Sequence, residues 1–441
     1  MLKRKALLMS LTAMVLAIAG CGGGGATGTG SEAKQNEMNK APVVDTTPVK
    51  LKLYFSNGSF SDQDVNSLIV EALNKKYPYI SIEVIRPGKG TTIEELIAAG
   101  MTPDIIYASN LDLTGFKTLD LLEDITPLAK AHQVDLSRFD PVLLDSVKIL
   151  SEKGEMYGLP FFAHFSGLFY NIDLFDKFGV PYPKDGMTWD EVIEVAKKLS
   201  RSDNGVTYKG LDPDTIARMA MQLPVTLVDP KTNRSAIDSD GWRNIFTLAK
   251  DIWSIPNNTP DKLNSYQSRN WFMKDRNVAM LPYNNLLNIG LEDAAKNGLN
   301  WDVAQFPSFK EKPNTYAHVD TQIFAVTKTS KYKNQAMQLL SVATSDEVQL
   351  KSARSTARLS ALKNPEMKKQ LGADMAFLKG KNLQSIFKSS PAPAPVYSPY
   401  DSLVRNISFQ SFEEYFNGKD LNTALKEANE KINKWIDSNK K

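Results

Sequence analysis

Val49-Lys-Leu-Lys-Leu-Tyr-Phe55 and Pro103-Asp-Ile-Ile-Tyr-Ala108 are the two stretches that decide the fold class of this 441-residue chain. In the first stretch apolar side chains alternate with Lys50, Lys52 and Tyr54, which predicts a strand with one buried face. The second stretch is apolar apart from Asp104, as expected for a parallel strand buried on both faces.

The segment between these two stretches alternates helix and strand signals. Apolar residues recur at helical spacing over residues 65–73, and Tyr77-Pro78 is a stop signal for that helix. Residues 80–84 alternate again, and Thr92 with Glu95 forms a capping box that opens a short helix. Strands that alternate with helices predict an α/β lobe with right-handed crossovers.

Further along, the chain shows the same mixture of elements. The segment Tyr157-Gly-Leu-Pro-Phe-Phe-Ala-His-Phe-Ser-Gly-Leu-Phe-Tyr-Asn171 predicts two β-rich stretches around a proline, and Thr188-Trp-Asp-Glu191 is a second capping box. Strands are predicted at residues 301–307 and 321–327, and helices at 333–350 and 420–437. A chain of this length exceeds the roughly 250–300 residues that one core supports, so at least two lobes are expected.

The N-terminal residues form a targeting signal. Lys3, Arg4 and Lys5 precede an apolar run over residues 6–19, which is shorter than the about 20 residues that a membrane span requires. The run ends in Ile18-Ala19-Gly20-Cys21, which matches the lipobox of bacterial lipoproteins. We therefore expect a signal peptide at residues 1–20, cleavage before Cys21, and two acyl chains on the Cys21 thiol that anchor the protein in a lipid bilayer. The alternative is a free or buried cysteine, and as the sole cysteine Cys21 makes no internal disulfide.

Residues 21–48 are then expected to be a lipidated flexible tether, because glycine, serine, threonine and polar residues dominate there. Cleavage also changes the charge balance. The whole chain has 53 basic and 50 acidic side chains, and the first 20 residues contain three basic and no acidic ones. The mature chain is left with 50 of each, so the apparent basicity belongs to the targeting signal. The balanced charge of the mature chain favours a neutral ligand over a polyanion.

Motifs for catalysis, metal binding and nucleic-acid binding do not stand out. The three histidines, His132, His164 and His318, are far apart and lack metal-ligand spacing. The sequence shows no nucleophile elbow, phosphate-binding loop or dinucleotide fingerprint, and no basic stripe with interleaved aromatics. We expect a binding protein rather than an enzyme, with no cofactor, no metal and no nucleic-acid partner.

Several short pieces follow one another beyond the tether: Pro103-Asp-Ile-Ile106, Gly158-Leu-Pro160 with Tyr170-Asn171, Thr188-Trp-Asp-Glu191, Phe272 with Val278-Ala-Met280, Ile323 through Ala336, and Ser345-Asp-Glu347. In this order, behind a lipobox, they resemble the extracellular solute-binding proteins of bacterial ABC importers, in the group with maltose- and oligosaccharide-binding proteins. The resemblance implies an α/β, type II periplasmic-binding-protein fold, in which two lobes are joined by hinge strands and the ligand lies in the interlobe cleft. It further implies a lipid-anchored monomer on the extracytoplasmic face of the cell membrane. Such a receptor captures a carbohydrate, here expected to be an oligosaccharide, and delivers it to the permease subunits by hinge closure.

The same resemblance implies how the chain is divided. Residues 49–160 form the first part of lobe 1, 161–304 the first part of lobe 2, 305–358 the second part of lobe 1, and 359–441 the C-terminal part of lobe 2. Hinge crossings are expected near Leu159–Ala163, Val303–Phe306 and Ala357–Ala361.

Candidate ligand-binding residues are implied by position along the family pattern. They are Asn57, Ser59 and Asn110 after the early strands, Phe162, His164, Tyr283 and Asn284 around the middle strands, Asp320 at a strand entry, and Arg358, Tyr397, Tyr400 and Arg405 in the C-terminal part. A sugar site needs aromatic platforms and hydrogen-bonding groups at strand ends, and these residue types supply both.

Structural roles compete with binding at several of these positions. Asn57 and Asn110 are also the residue types of plain strand-to-helix turns. His164 is alternatively a buried histidine whose hydrogen bonds are satisfied within the protein, and Phe162 is alternatively a core residue of a hinge strand. Arg358 is either a ligand contact or part of a hinge salt bridge. Asp104 is expected to be structural. At the level of the whole protein, the alternatives are a non-sugar solute, a sensor or adhesion role and, from another class, a surface polysaccharide hydrolase or lyase.

Overall fold

A computed structural model describes residues 46–439 of the chain, with the exception of Ser59. The predicted signal peptide at 1–20, Cys21, most of the predicted tether and the candidate residue Ser59 therefore lie outside the described residues. Within the described part, no helix is long and apolar enough to span a bilayer.

The strands are β1 Val49–Phe55, β2 Ile80–Ile85, β3 Ile105–Ser109, β4 Gly158–His164, β5 Ser166–Asn171, β6 Arg201–Asp203, β7 Val206–Leu211, β8 Val228–Asp229, β9 Arg234–Ser235, β10 Val278–Asn284, β11 Trp301–Ala304, β12 Thr315–Tyr316, β13 Asp320–Val326, β14 Leu359–Ser360 and β15 Ser390–Pro391. The helices are α1 (Asp62–Asp64, a π-helical turn Val65–Val70, and Glu71–Lys76), α2 Ile93–Ala98, α3 Asn110–Thr118, α4 Thr126–Ala131, α5 Pro141–Lys148, α6 Ile172–Phe178, α7 Trp189–Leu199, α8 Ile216–Ala220, α9 Asp240–Trp253, α10 (Ser268–Asn270 with a π-helical turn Trp271–Asp275), α11 Leu291–Lys296, α12 Lys333–Ala343, α13 Asp346–Thr356, α14 Pro365–Lys369, α15 Arg405–Phe416 and α16 Leu421–Asn439. Short 3₁₀ turns lie at Leu136–Arg138, Ala376–Leu378 and Leu383–Lys388.

The first sheet has six strands in the order β14-β4-β13-β3-β1-β2. Its β1, β2 and β3 are parallel to one another, whereas β13 runs antiparallel to both β3 and β4. The alternation predicted for β1 is confirmed in its first part, where Leu51 and Leu53 are fully buried while Lys50 is exposed. It is wrong at Tyr54, which is buried because its ring packs against Phe116. Phe55, Phe60 and Tyr107 form an aromatic cluster on this sheet, with ring centroids 5.0–5.8 Å apart.

The second sheet has five strands in the order β11-β5-β10-β7-β6. Its central strand β10 is antiparallel to β5 and parallel to β7. The amphipathic helices α7 and α9 pack on this sheet through buried residues such as Trp189 and Trp253. Trp242, which the sequence did not place, is buried in α9 and donates from Nε1 to the Thr226 carbonyl at 2.9 Å.

The chain passes from the first sheet to the second at Phe165, which separates β4 from β5 and is fully buried. The sequence places this boundary at residue 160, but β4 continues in the first sheet to His164, where it pairs with Asp320 of β13. The chain returns to the first sheet between β11 and β13. The remaining lobe bounds stay predictions.

Local signals in the sequence predicted the starts of several elements. Both capping boxes are confirmed, since the Thr92 and Thr188 hydroxyls each accept from the backbone N–H three residues on, and each threonine backbone N–H donates to the glutamate carboxylate at that position. The single helix predicted at 333–350 is wrong, because two helices, α12 and α13, cover this region. Ser345 caps α13 by accepting from the Val348 backbone, so α12 does not continue through it.

The structural role expected of Asp104 is confirmed: its carboxylate is buried and accepts from the Lys52 backbone and the Ser330 hydroxyl.

Candidate functional site

A cavity of about 260 Å³ lies where polar residues at the ends of strands from both sheets meet the segment before α15. Five of the sequence-predicted residues line it: Asn110, Asn284, Asp320, Tyr397 and Arg405. Side chains that the sequence did not single out also line it, among them Arg218, Trp242, Tyr266, His318 and Asp401.

The first-sheet side of the cavity is held by a chain of amide and carboxylate hydrogen bonds. The Asn110 side chain is buried and braces β13, since its Oδ1 accepts from the Thr321 backbone at 3.1 Å and its Nδ2 donates to the Val319 carbonyl at 3.4 Å. Asp320 accepts from Gln322 Nε2 at 3.0 Å, and Gln322 Oε1 accepts from Asn57 Nδ2 at 3.2 Å. Asn57 does not line the cavity, but it hydrogen-bonds to Gln322, which in turn holds the lining residue Asp320.

A small recess of about 10 Å³ extends the floor toward the second sheet. His164, Asn284 and Asp320 line it together with Arg218 and His318. Burial lowers the pKa of His164, so its imidazole is neutral at pH 7. The recess therefore combines one carboxylate and one guanidinium with neutral polar groups.

Arg218 projects from the short helix α8, which Thr215 caps by accepting from the Arg218 backbone at 3.1 Å. The Arg218 Nε donates to Asp214 Oδ2 at 3.1 Å, and its guanidinium carbon lies 3.9 Å from the centre of the Tyr283 ring. Tyr283, predicted as a ligand contact, does not line either cavity and instead forms a cation–π pair with Arg218. Asp214 has a φ of 71°, a left-handed conformation that carries its fully buried carboxylate to the arginine.

The C-terminal segment closes the opposite side of the cavity. The Tyr397 hydroxyl lies 2.5 Å from His318 Nε2, and His318 Nδ1 lies 3.3 Å from the Val319 carbonyl. Burial lowers the pKa of His318 and raises that of Tyr397, so a neutral histidine with its proton on Nδ1 accepts from the tyrosine hydroxyl. Asp401 accepts from the backbones of Leu227 and Val228 at 3.3 and 3.2 Å, and burial raises its pKa to about 6.

Arg405, the first residue of α15, lines the cavity with its side chain half-buried. Within the described residues, its guanidinium makes no hydrogen bond or ion pair. Such a donor group is available to a bound molecule.

Three further predicted residues lie away from the cavity. Phe162 is buried in the core of the first sheet, and Tyr400 packs edge-on against Trp435 at 6.3 Å. Arg358 is only 3% exposed and pairs with Asp64 at 2.9 Å. Arg358 therefore forms a salt bridge, as in the alternative to a ligand contact, and its place in a hinge stays a prediction.

Sequence reasoning missed Arg218, Tyr266 and His318 as lining residues. Tyr266 is 48% exposed, has a φ of 58°, and lies in an irregular loop for which the sequence offers no periodic signal. The sequence did not place Trp242, which lies in the first turn of the amphipathic helix α9.

Two larger surface cavities, of about 640 and 500 Å³, occur elsewhere. The first is lined by residues within 269–297 and the second by residues within 223–244 and Lys312. Neither joins the two sheets or contains a sequence-predicted binding residue, so the smaller cavity is the stronger candidate site. No cluster of three or more metal-ligating side chains occurs in the part of the chain that the structure describes.

A family model described as bacterial extracellular solute-binding protein matches residues 61–350, well over half of the chain. The chain belongs to this family. For this solute-binding protein the expectation of a binding protein rather than an enzyme is confirmed.

Solved structures agree on the fold of the solute-binding protein. An ABC substrate-binding protein of Listeria monocytogenes, solved in complex with cycloalternan, superposes with a TM-score of 0.72 at 21% identity, covering 88% of this chain and 99% of that one. The sugar-binding protein MalE of Xanthomonas citri gives a TM-score of 0.65 at 17% identity, covering 89% and 100%. The predicted α/β periplasmic-binding-protein fold is confirmed, and it is built on two main sheets.

Curated relatives match the solute-binding protein over shorter segments. The lactose-binding protein of Rhizobium radiobacter is 27% identical over 161 residues, which is 34% of this chain and 36% of the relative. The arabinooligosaccharide-binding protein of Bacillus subtilis is 29% identical over 141 residues, 30% of this chain and 31% of the relative. The chain thus spans about a third of the length of the curated relatives it matches.

Proposed function

We propose that this protein is the lipid-anchored substrate-binding component of an ABC importer, which captures a carbohydrate in the 260 Å³ cavity and delivers it to the permease by hinge closure. The observation that carries the proposal is the meeting of hydrogen-bonding groups from both sheets with the aromatic rings of Trp242, Tyr266 and Tyr397 in one cavity. A sugar presents apolar C–H faces and a rim of hydroxyls, and this lining matches both.

The charge of the lining supports a neutral solute. Arg218 is paired with Asp214, and the unpaired Arg405 is balanced by the Asp320 carboxylate. Asp401, with its pKa raised to about 6, adds a negative charge only above that pH. Drug-sized ligands occupy pockets of roughly 300–1,000 Å³, so a cavity of about 260 Å³ suits a short saccharide.

The names of similar proteins support the same class of solute. Curated relatives are named for lactose and arabinooligosaccharides, and fold relatives were solved with mannobiose and with maltotetraose. Two sheets joined through Phe165 supply the kind of element-terminal link about which hinge closure takes place.

The decisive experiment is a titration of the purified protein with a panel of sugars, read by intrinsic tryptophan fluorescence. Trp242 lines the cavity, whereas Trp435 packs against Tyr400 away from it. A bound sugar should change the emission saturably, and the change should be smaller in Trp242→Phe but unaltered in the control Trp435→Phe. Hydrolysis of a bound sugar by the pure protein, or no response to any sugar, would contradict the proposal.

Anchoring at Cys21 is tested by expression of the full chain with Cys21→Ser. The lipobox predicts that the wild-type chain accompanies the membrane fraction on the extracytoplasmic face and that the variant is released from it. Membrane retention of the variant would argue against the anchor. Adjacent genes for two permease subunits would support import over sensing.

A further inference from the structure

We propose that the small recess on the cavity floor is a single-hydroxyl site, in which Arg218 donates to, and Asn284 accepts from, one hydroxyl group of the bound sugar. This inference rests on the proposed function and adds to it the feature of the solute that is recognised. Three observations support it: the size of the recess, the unpartnered polar atoms of its walls, and the way in which Arg218 is held.

The recess has room for one oxygen atom. Its volume is about 10 Å³, close to the roughly 10–15 Å³ that a single water molecule requires. A sugar ring cannot enter it, but a hydroxyl that projects from a ring in the main cavity can, because the recess shares Arg218, Asn284 and Asp320 with that cavity.

Two residues that line the recess have a buried polar atom without a partner. Asn284 Oδ1 and His164 Nδ1 make no hydrogen bond to any described residue. An unpaired buried acceptor is unfavourable, so most such atoms in native proteins have a partner or face a ligand or water. A group that enters the recess and donates a proton removes this cost.

Arg218 is oriented before any solute binds. Its Nε is bound to the fully buried Asp214 carboxylate, and the Tyr283 ring covers one face of the guanidinium. The two terminal amino groups make no hydrogen bond to any described residue, and Arg218 lines both the recess and the main cavity. A guanidinium fixed on two sides loses little further freedom when it donates to a ligand.

These partners select a hydroxyl rather than a carboxylate. A hydroxyl both donates and accepts, so it satisfies Arg218 and Asn284 at once. A carboxylate only accepts, would leave Asn284 Oδ1 unpaired, and would lie beside the Asp320 carboxylate that also lines the recess. A sugar that lacks the hydroxyl would leave both polar groups unpaired, which is a strong basis for discrimination.

Binding measurements with named probes test the assignment. Maltose, mannobiose and D-tagatose are titrated by calorimetry into wild-type protein, Arg218→Met, Tyr283→Leu, Tyr283→Phe and the control Arg243→Met, which removes a surface arginine paired with Asp238. For a sugar that binds wild type, Arg218→Met should raise Kd by about tenfold or more, because a hydrogen bond from a charged donor is lost. Tyr283→Leu should also weaken binding, Tyr283→Phe should retain more affinity because the ring remains, and Arg243→Met should match wild type.

Equal Kd values for wild type and folded Arg218→Met, with unfolding checked by calorimetry, would overturn the proposal. Arg218→Lys serves as a second variant if Arg218→Met does not fold, since it keeps the charge but not the fork and should still bind more weakly. A crystal structure of the unliganded wild type gives a readout that needs no sugar: one ordered water in the recess, bonded to Arg218 and Asn284, is expected. If no sugar on the panel binds, the carbohydrate assignment fails. In that case a recess that is empty or filled by a side chain in the unliganded crystal structure would also overturn the proposed hydroxyl site.

Discussion

The buried ion pair between Arg358 and Asp64 should contribute to stability rather than to solute binding. The Arg358 side chain is 3% exposed and Asp64 is 20% exposed, with Nη2 and Oδ2 2.9 Å apart. The guanidinium also lies between the rings of Phe60 and Phe162, at 5.0 and 5.1 Å from their centres. The perturbations are Asp64→Asn, Arg358→Met and the double variant.

The expected loss follows from this burial. Removal of one partner from a fully buried pair costs about 3–5 kcal/mol, because a charge remains without compensation. Asp64 is partly exposed, and the amide introduced by Asp64→Asn would keep an oxygen that can accept from the Ser61 backbone, so we expect about 2–3 kcal/mol for this variant. The double variant should recover part of this loss, because neither position then carries a charge without its partner. A coupling energy of about 1–2 kcal/mol is expected from the cycle.

Urea unfolding followed by circular dichroism gives the free energies of unfolding, with an unchanged m-value as the sign that the compared states are the same. Sugar titrations of the same proteins measure affinity, which should stay near wild type in all folded variants. If Arg358→Met unfolds like wild type but loses affinity for every sugar, Arg358 is a ligand contact and the reasoning here is wrong.

Three further predictions concern stability alone. Burial raises the pKa of Asp212 to about 6, above the unfolded value of about 3.9, so its favourable contribution is present at low pH and lost as the pH rises through 6. Thermal unfolding of Asp212→Asn against wild type should therefore show a relative stabilisation that grows by roughly 2–3 kcal/mol between pH 4 and pH 8, and a constant difference would contradict it. Gly210→Ala should destabilise by about 1–3 kcal/mol in urea unfolding, because a Cβ there would lie 2.2 Å from the Ala196 carbonyl oxygen. Ser345→Ala should cost about 1 kcal/mol in the same assay through loss of the α13 cap, and no change would indicate that the cap is dispensable.

The α/β class was open to prediction because its determinants are local, whereas the two-lobed arrangement came from the resemblance to solute-binding proteins. The alternation in β1 and the capping boxes at Thr92 and Thr188 each act within a few residues, so the sequence displays them directly. The break at Ser345 shows the limit of this reasoning. The apolar period runs on through 333–350, and only the competition between a serine cap and helix continuation ends α12.

The cavity was open to prediction only in part. Asn110 follows a strand, Asn284 ends one and Asp320 begins one, and all three line the cavity. Which of them touch the solute stays a prediction. Arg218 lies in the five-residue helix α8 and Tyr266 in an irregular loop with a positive φ angle, and neither segment gives a periodic pattern.

The sequence does not predict which distant residue each candidate side chain contacts, and these contacts change how the affinities of mutants must be interpreted. Tyr283 and Arg358 have the residue types of sugar contacts, yet each is engaged by a distant residue: Tyr283 by Arg218, and Arg358 by Asp64, which is 294 positions away. Loss of affinity in a Tyr283 variant therefore does not identify a contact, because displacement of Arg218 would have the same effect. A double-mutant cycle separates the two cases. If Tyr283 acts through Arg218, its substitution should cost little in the Arg218→Met background, whereas an independent contact would add its full effect.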